Sequence, residues 1–499
     1  MNDLPRQKLR EIVARHGRSV ARDARRCEGL LRDCCGQYRR EVSVLVSALE
    51  EHVPADLLAA PAGTPREVLL ARLAHKLCDH LALSEPAARW AVNSWALALG
   101  LVPEDELKEF ERRAAEPTEA DADHLTEAPT ATASVAAPFV VSATGGGDYT
   151  TITEALRHAA PGARVIVRPG VYAEGINIEQ PVEIAGDGPL EEIIVESADA
   201  SCLRMRADRA RVAGLTLRGR ARGGAAFFAV DISRGELLLE DCDVSSDTLS
   251  CVAVHGPGVA PSIRRCRIHD GADSGLYFFE GAAGEVEDCE VYGNANVGVA
   301  ITGRADPAVR RSKIYGGANA GVVAWQEGSG LVEGCEIYGN RGAGLGVSAG
   351  ATLTARDCRI YEGENSGVFV HGGGEAVLEG CELSGQRAAA AAVTTGGKLF
   401  LNGCRVERGR DSGVFVGEGG QALLQDCVVE GHAASGASVG AGSVLAVLTS
   451  QINRNALFAV SVAAGATARV EDSDLTGNGR GPWDVADGAS VESERNREG

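Results

Sequence analysis

A cysteine returns every 23 residues through the second half of the chain. Cys289, Cys335, Cys358, Cys381, Cys404 and Cys427 share one register, Ser312 fills the skipped position, and Ser450 and Ser473 extend it. Cys266 fits one unit earlier, and Cys242 fits after a single inserted residue. A second marker keeps the same period: SGL at 274–276, VGV at 297–299, AGV at 320–322, AGL at 343–345, and SGV at 366–368 and 412–414. A 23-residue unit of short β-branched runs and Gly turns is too short for a propeller blade and lacks the leucine-rich pattern. It suits one coil of a parallel β-helix, whose coils stack about 4.8 Å apart. The cysteines then form an interior ladder at a turn, a place for a small side chain that tolerates burial. A single file of thiols cannot converge on one point as a tetrahedral zinc site requires, and no CxxC pair occurs. No metal and no cofactor is expected.

The repeats occupy only part of the chain. Residues 1–113 carry apolar residues at helical spacing (Leu9, Ile12, Val13, Val20; Leu30, Leu31, Cys34, Tyr38, Val42, Leu45, Leu49) and read as an α-helical module of four or five helices. Ser84 followed by Glu85 and Pro86 marks one helix start. Residues 114–138 lack periodicity and are rich in Ala, Thr, Pro and acid, so a flexible linker is expected there. A net charge of −20 opposes general nucleic-acid binding. No 18-residue apolar run predicts a membrane span. The charged N-terminus lacks the apolar core of a signal peptide, so a cytoplasmic location is expected. The sequence leaves the oligomeric state open.

The stretch DYTTITEALRHAAPGARVIVRPGVYAEGINIEQPVEIAGDGP, residues 148–189, resembles the opening of pectin-lyase-like right-handed β-helix proteins. Coils such as SGLYFFEGAAGEVEDCEVYGNANVGVAITGRADPAVRRSKIYGG resemble repeats of the carbohydrate-binding and sugar-hydrolase (CASH) type, and are similar to the β-helix of F-box proteins that select substrates for ubiquitin ligases. The resemblance implies a mainly β chain: a right-handed, single-stranded parallel β-helix of about 14–15 coils over 139–495. The helical segment resembles a module appended to varied bacterial multidomain proteins, for which recruitment of a partner is the expected role.

Such a fold hosts both enzymes and binding proteins. Glycosidic hydrolysis needs paired carboxylates, and neither Asn-Thr-Asp nor Asp-Asp occurs, although His255-Gly256 and His371-Gly372 do. Asp241 and Asp243 flank Cys242 without further acids nearby, and GRGPWD at 479–484 only echoes an esterase element. Strand alternation, however, turns one set of rings outward: Tyr277, Phe279, Trp325, Phe369, His371 and Phe415, in a chain with 4% aromatics. Exposed aromatics of this kind mark binding surfaces. The sequence thus predicts a non-catalytic scaffold that binds a protein or glycan along this column, with no catalytic residues. A polysaccharide-active lyase, hydrolase or epimerase is the alternative.

Overall fold

In the computed structural model the chain divides into two units, Met1–Ala133 and Ser134–Gly499. The structure describes residues 4–16, 20, 24–35, 38–51, 53–58, 70, 73, 77, 85–99, 101, 137–220 and 226–498. The linker expected over 114–138 lies almost wholly outside them.

In the first unit, helices Leu4–His16, Ala24–Cys35, Arg39–Glu50, Val53–Leu58 and Glu85–Ala98 bury their apolar stripes against one another. Trp95 is fully buried, and its indole N–H donates to the Leu45 carbonyl at 2.9 Å, which satisfies the one polar atom of that ring. Arg6 bonds Ser94 Oγ at 3.0 Å and lies over the Trp90 ring. Cys27 and Cys35 are buried and Cys34 is exposed.

In the second unit each repeat is one coil of three short strands. The coil around Cys335 runs Ser329–Glu333, a corner, Glu336–Tyr338, a glycine corner, then Leu345–Val347 and a last corner. Stacking like on like gives three parallel sheets: face A with 16 strands from Phe139–Val141 to Ser490–Glu494, face B with 13 from Gly170–Tyr172 to Gln451–Asn453, and face C with 14 from Ile176–Ile178 to Gly481–Val485. Alternate residues point into one continuous core of Val, Ile, Leu, Ala and Cys. The first coil is covered by helix Ile152–His158. Thr151 caps it, the Glu174 carboxylate accepts from the N–H groups of Ile152 and Thr153 at 2.8 Å each, and Ile152 and Ala155 are buried.

The A-to-B corner explains the repeat seen in the sequence. The residue before each ladder position has positive φ: Asp241, Arg265, Asp288, Arg311, Gly334, Asp357, Gly380, Gly403, Asp426, Thr449, Asp472 and Arg495. This left-handed conformation suits Gly and is tolerated by Asp. Outside the corner these side chains pair coil to coil, as Arg265 with Asp241 at 2.8 Å and Arg311 with Asp288 at 3.0 Å. Inside, the ladder does more than fill space. The N–H of several ladder residues donates to the side chain one coil on: Cys266 to Cys289 Sγ at 3.4 Å, Cys289 to Ser312 Oγ at 3.1 Å, Cys427 to Ser450 Oγ at 3.0 Å, and Ser450 to Ser473 Oγ at 3.1 Å. The side chain donates in turn to a corner carbonyl, as Ser312 does to Arg310 O at 2.8 Å. Cys and Ser therefore interchange because both are small and both accept a hydrogen bond. The ladder thiols are free and at most 2% exposed.

Candidate functional site

The outer side of face C carries a stack of rings. Register aligns Asp231, Ala253, Tyr277, Ala300, Val323, Gly346 and Phe369 in one outward column. Two residues further along the strand, His255 and Phe279 are aligned. Four rings meet in series. His255 stacks on Phe279 (centroids 4.7 Å apart, planes within 8°), Phe279 on Tyr277 (4.5 Å), and Tyr277 faces Trp325 (6.3 Å, within 8°) across the small Ala300 coil. Phe228 leans on Phe279 from the long corner after Gly219. At the His255 end the Asp231 carboxylate accepts from Nε2 at 2.8 Å and pairs with Arg204 at 3.3 Å, while Glu280 lies 3.8 Å from Nδ1. With Nε2 donating to Asp231, a neutral ring turns its Nδ1 lone pair outward. Asp231 and His255 are both largely shielded, with 19% and 25% of their side-chain surface exposed.

The six residues picked from the sequence therefore do not form one even row. Tyr277, Phe279 and Trp325 come together and are half-buried. Phe369 and His371 form a separate stacked pair at 4.9 Å, and Phe415, 39% exposed, stands apart with its ring against Gly417. Phe279 and Tyr277 each have ring neighbours on two sides. Among the described residues Trp325 touches one ring only, Tyr277. On its other side the next coil presents Gly346 and Ser348, and Phe369 with His371 follow one coil later. Two strand spacings, about 9.6 Å between backbones, separate Trp325 from Phe369 and His371, and the Gly346 that lies between them is buried. A Cβ added at Gly346 would meet only the Val323 side chain, at 3.3 Å, so the floor is low on the Phe369 side.

Sequence reasoning missed a second ring column, on face B. Tyr292, Tyr315, Tyr338 and Tyr361 stack at 5.2, 4.9 and 4.9 Å, with His269 on one end at 4.8 Å and the Arg359 guanidinium over Tyr361 at the other. The signal was present: a Tyr three residues after the ladder position in four successive coils. His269 donates to Asp243 at 3.1 Å and to Asp270 at 2.8 Å. Both nitrogens face carboxylates, which favours the imidazolium, and the bond to Asp243 raises its pKa. Burial opposes ionisation of Asp243, but His269 and Arg267 hold its carboxyl below the usual range. Asp270 has positive φ, and the pairing shifts between Ser245 and Ser246. That bulge leaves Asp270 unpaired in the coil of Cys266. With both nitrogens occupied and both ends of the stack covered, this column is closed to a ligand ring. Among the described residues no group of three or more His, Cys, Asp or Glu is arranged to hold a metal ion, and no helix is long and apolar enough to cross a membrane.

Residues 250–375 and 347–497 match the family model described as right handed beta helix region. Solved structures with similar backbones include the periplasmic alginate epimerase AlgG (12% identity, 66% of this chain and 78% of that one, TM-score 0.41). The A-module of the Azotobacter vinelandii mannuronan C-5 epimerase AlgE6 matches at 14% identity over 68% and 94%, with a TM-score of 0.37. The catalytic domain of a GH87 alpha-1,3-glucanase matches at 12% identity over 74% and 71%, with a TM-score of 0.43. The fold is a right-handed parallel β-helix with about 15 turns. Likeness at this level carries no argument about what the chain binds.

Proposed function

We propose that the outer side of face C binds a glycan, with one sugar ring seated in the gap between Trp325 and the Phe369–His371 pair. The observation that carries this reading is the open side of Trp325. It ends a stack of four rings, and the two-coil gap beside it is floored by Gly346 and Ser348. A pyranose offers apolar C–H faces to an aromatic ring and hydroxyls to polar groups at the rim. Rim groups are at hand in the adjoining turns: Arg304, Gln326 and Glu327, all exposed. On this reading the protein is a binding scaffold, and the helical unit recruits a second partner.

The test is titration calorimetry with a panel of oligosaccharides, comparing wild type with Trp325→Ala and Gly346→Phe. Both variants should lose binding, the first by removing a wall and the second by filling the gap. Undiminished binding by Gly346→Phe would remove the gap from consideration.

One observation favours a second reading, in which the bound glycan is also processed. His255 is held by Asp231 at Nε2, with Nδ1 toward the exposed Glu280 carboxylate 3.8 Å away, a pairing of imidazole and carboxylates that could move a proton. A lyase, epimerase or hydrolase activity would then depend on His255. Incubation with polysaccharides, followed by reducing-end and unsaturated-product assays, should show turnover that His255→Ala abolishes.

A further inference from the structure

We propose that the outer side of face A joins two copies of this chain, antiparallel and face to face, through a stripe of apolar side chains. The middle outward position of each strand on this face forms one column. Over six successive coils it holds Leu331, Thr354, Val377, Phe400, Leu423 and Ala446, all half-buried. Val444, 44% exposed, widens the stripe at its Ala446 end. Charge closes the column beyond both ends, with Glu285 past Ala308 on one side and Arg469 with Glu492 on the other. A contiguous apolar patch with a polar rim marks an interaction surface. The proposal is independent of the glycan reading, which uses face C.

The flanking residues favour a second copy as the occupant. The midpoint of the stripe falls between the coils of Val377 and Phe400. A two-fold axis there, lying along the strands, sets each coil against the one equally far beyond it and each outward position against its own kind. Val377 then meets Phe400 of the second copy, Thr354 meets Leu423, and Leu331 meets Ala446. Beside the axis Glu375 and Lys398 are neighbours at 3.9 Å. Each meets the opposite charge of the second copy, so four charges alternate in a square. Arg356 meets Gln425, Glu379 meets Asn402, and one coil past the stripe Arg310 meets Glu471. Glu333 meets Leu448 but keeps Arg310 of its own chain at 3.1 Å. No strand charge over these eight coils faces its own sign. Asp357 and Asp426 stand on opposed coils, but at the A-to-B corner outside the strands of the face. The whole chain carries −20. Across the six coils, however, Glu333, Glu375 and Glu379 are set against Arg356 and Lys398, so two copies can approach here. Eight coils of five-residue strands give a flat footprint of about 600 Å² before side-chain relief is counted. A standard interface takes about 800 Å² from each partner, so the pairing is reversible.

The experiment is sedimentation velocity of the full chain across a micromolar concentration series, with thermal melts alongside. Wild type should pass from monomer to dimer, and Phe400→Glu should stay monomeric. Glu375→Lys and Lys398→Glu should each weaken the dimer about tenfold or more, because two like-charged contacts replace two opposite ones. The double variant Glu375→Lys, Lys398→Glu should restore it. Both side chains are about half exposed, so these reversals carry the test even where Phe400→Glu fails to fold. A chain that is monomeric at every concentration overturns the inference, whether the stripe is bare or covered by another segment or partner. A dimer indifferent to Phe400→Glu lies on some other surface and overturns it too. A dimer that Phe400→Glu breaks and the double reversal does not restore overturns the antiparallel register.

Discussion

Asp231 and His255 sit on neighbouring coils, one register position and two residues apart, yet carboxylate and imidazole meet at 2.8 Å. The diagonal works because Ala253, directly beside Asp231, is too small to intervene. The contact fixes the tautomer of His255 and therefore which nitrogen a ligand meets. Selective 15N-histidine labelling should show the proton on Nε2 in the neutral ring. In Asp231→Asn that preference should weaken. A dominant Nδ1–H form in the wild type would refute the assignment.

The two ring columns should answer differently to truncation. Trp325 ends its stack beside a gap, so Trp325→Ala should cost glycan affinity about 2 kcal/mol with little change in melting temperature. Tyr338 lies between Tyr315 and Tyr361 at 4.9 Å from each. Tyr338→Ala should cost about 2 kcal/mol of stability and leave binding intact. Thermal melts beside calorimetry separate the two outcomes.

The accepting role of the ladder distinguishes Ser from Ala. In Cys289→Ser the Cys266 N–H keeps a partner, as the Cys289 N–H does with Ser312. In Cys289→Ala it is buried without one, which costs about 1–3 kcal/mol. Urea unfolding should rank wild type and Cys289→Ser close together and Cys289→Ala well below. Equal loss in both variants would mean that the ladder matters only for volume.

Thiol access should follow burial. Burial pushes the Cys202 thiol up to about 12 and Cys251 higher still. Native protein at pH 8 should therefore react quickly with a thiol reagent at Cys34, the exposed cysteine among the described residues, while the ladder reacts only after denaturation. Fast modification of Cys358 or Cys381 in the native state would contradict the packing described.

His432 should give the β-helix an acid-sensitive point. Its ring is 1% exposed; Nδ1 accepts from the Gly409 N–H at 3.2 Å and Nε2 donates to the Val406 carbonyl at 3.1 Å. Burial lowers its pKa. The unfolded chain then binds a proton that the folded one refuses, so this group's contribution is present above the unfolded pKa, about 6.5. It is lost as pH falls from there through the depressed folded pKa. Gln386 fills the same kind of corner, with Oε1 accepting from Gly363 and Nε2 donating to Ile360 O. His432→Gln should keep neutral-pH stability and flatten the fall below pH 6.5, as melts across that range would show.

The architecture was legible because Cys and Gly mark corners, and a corner recurs with a fixed period whatever lies between. The outward direction of Tyr277, Phe279 and Trp325 followed from strand alternation alone. What alternation cannot give is which outward side chains lean together. His255 and Asp231 are separated by 24 residues and offset diagonally, so their contact depends on the register of a coil with an insertion. Phe228 enters from a long corner with no repeat to place it. The tyrosine column was periodic and still passed over, because its ring-to-ring contact appears only once the coils are stacked.

The gap beside Trp325 has a width that is counted in whole coils. Its two walls are set by which coils carry large rings, and its floor by one coil that carries Gly346 and Ser348. Selection cannot widen such a slot gradually. Deleting or duplicating one 23-residue unit would move a wall by a single strand spacing and leave the corners on either side unchanged. A lineage of these chains could therefore shift from one ligand thickness to another by unequal recombination between near-identical repeats, without passing through an unfolded intermediate form.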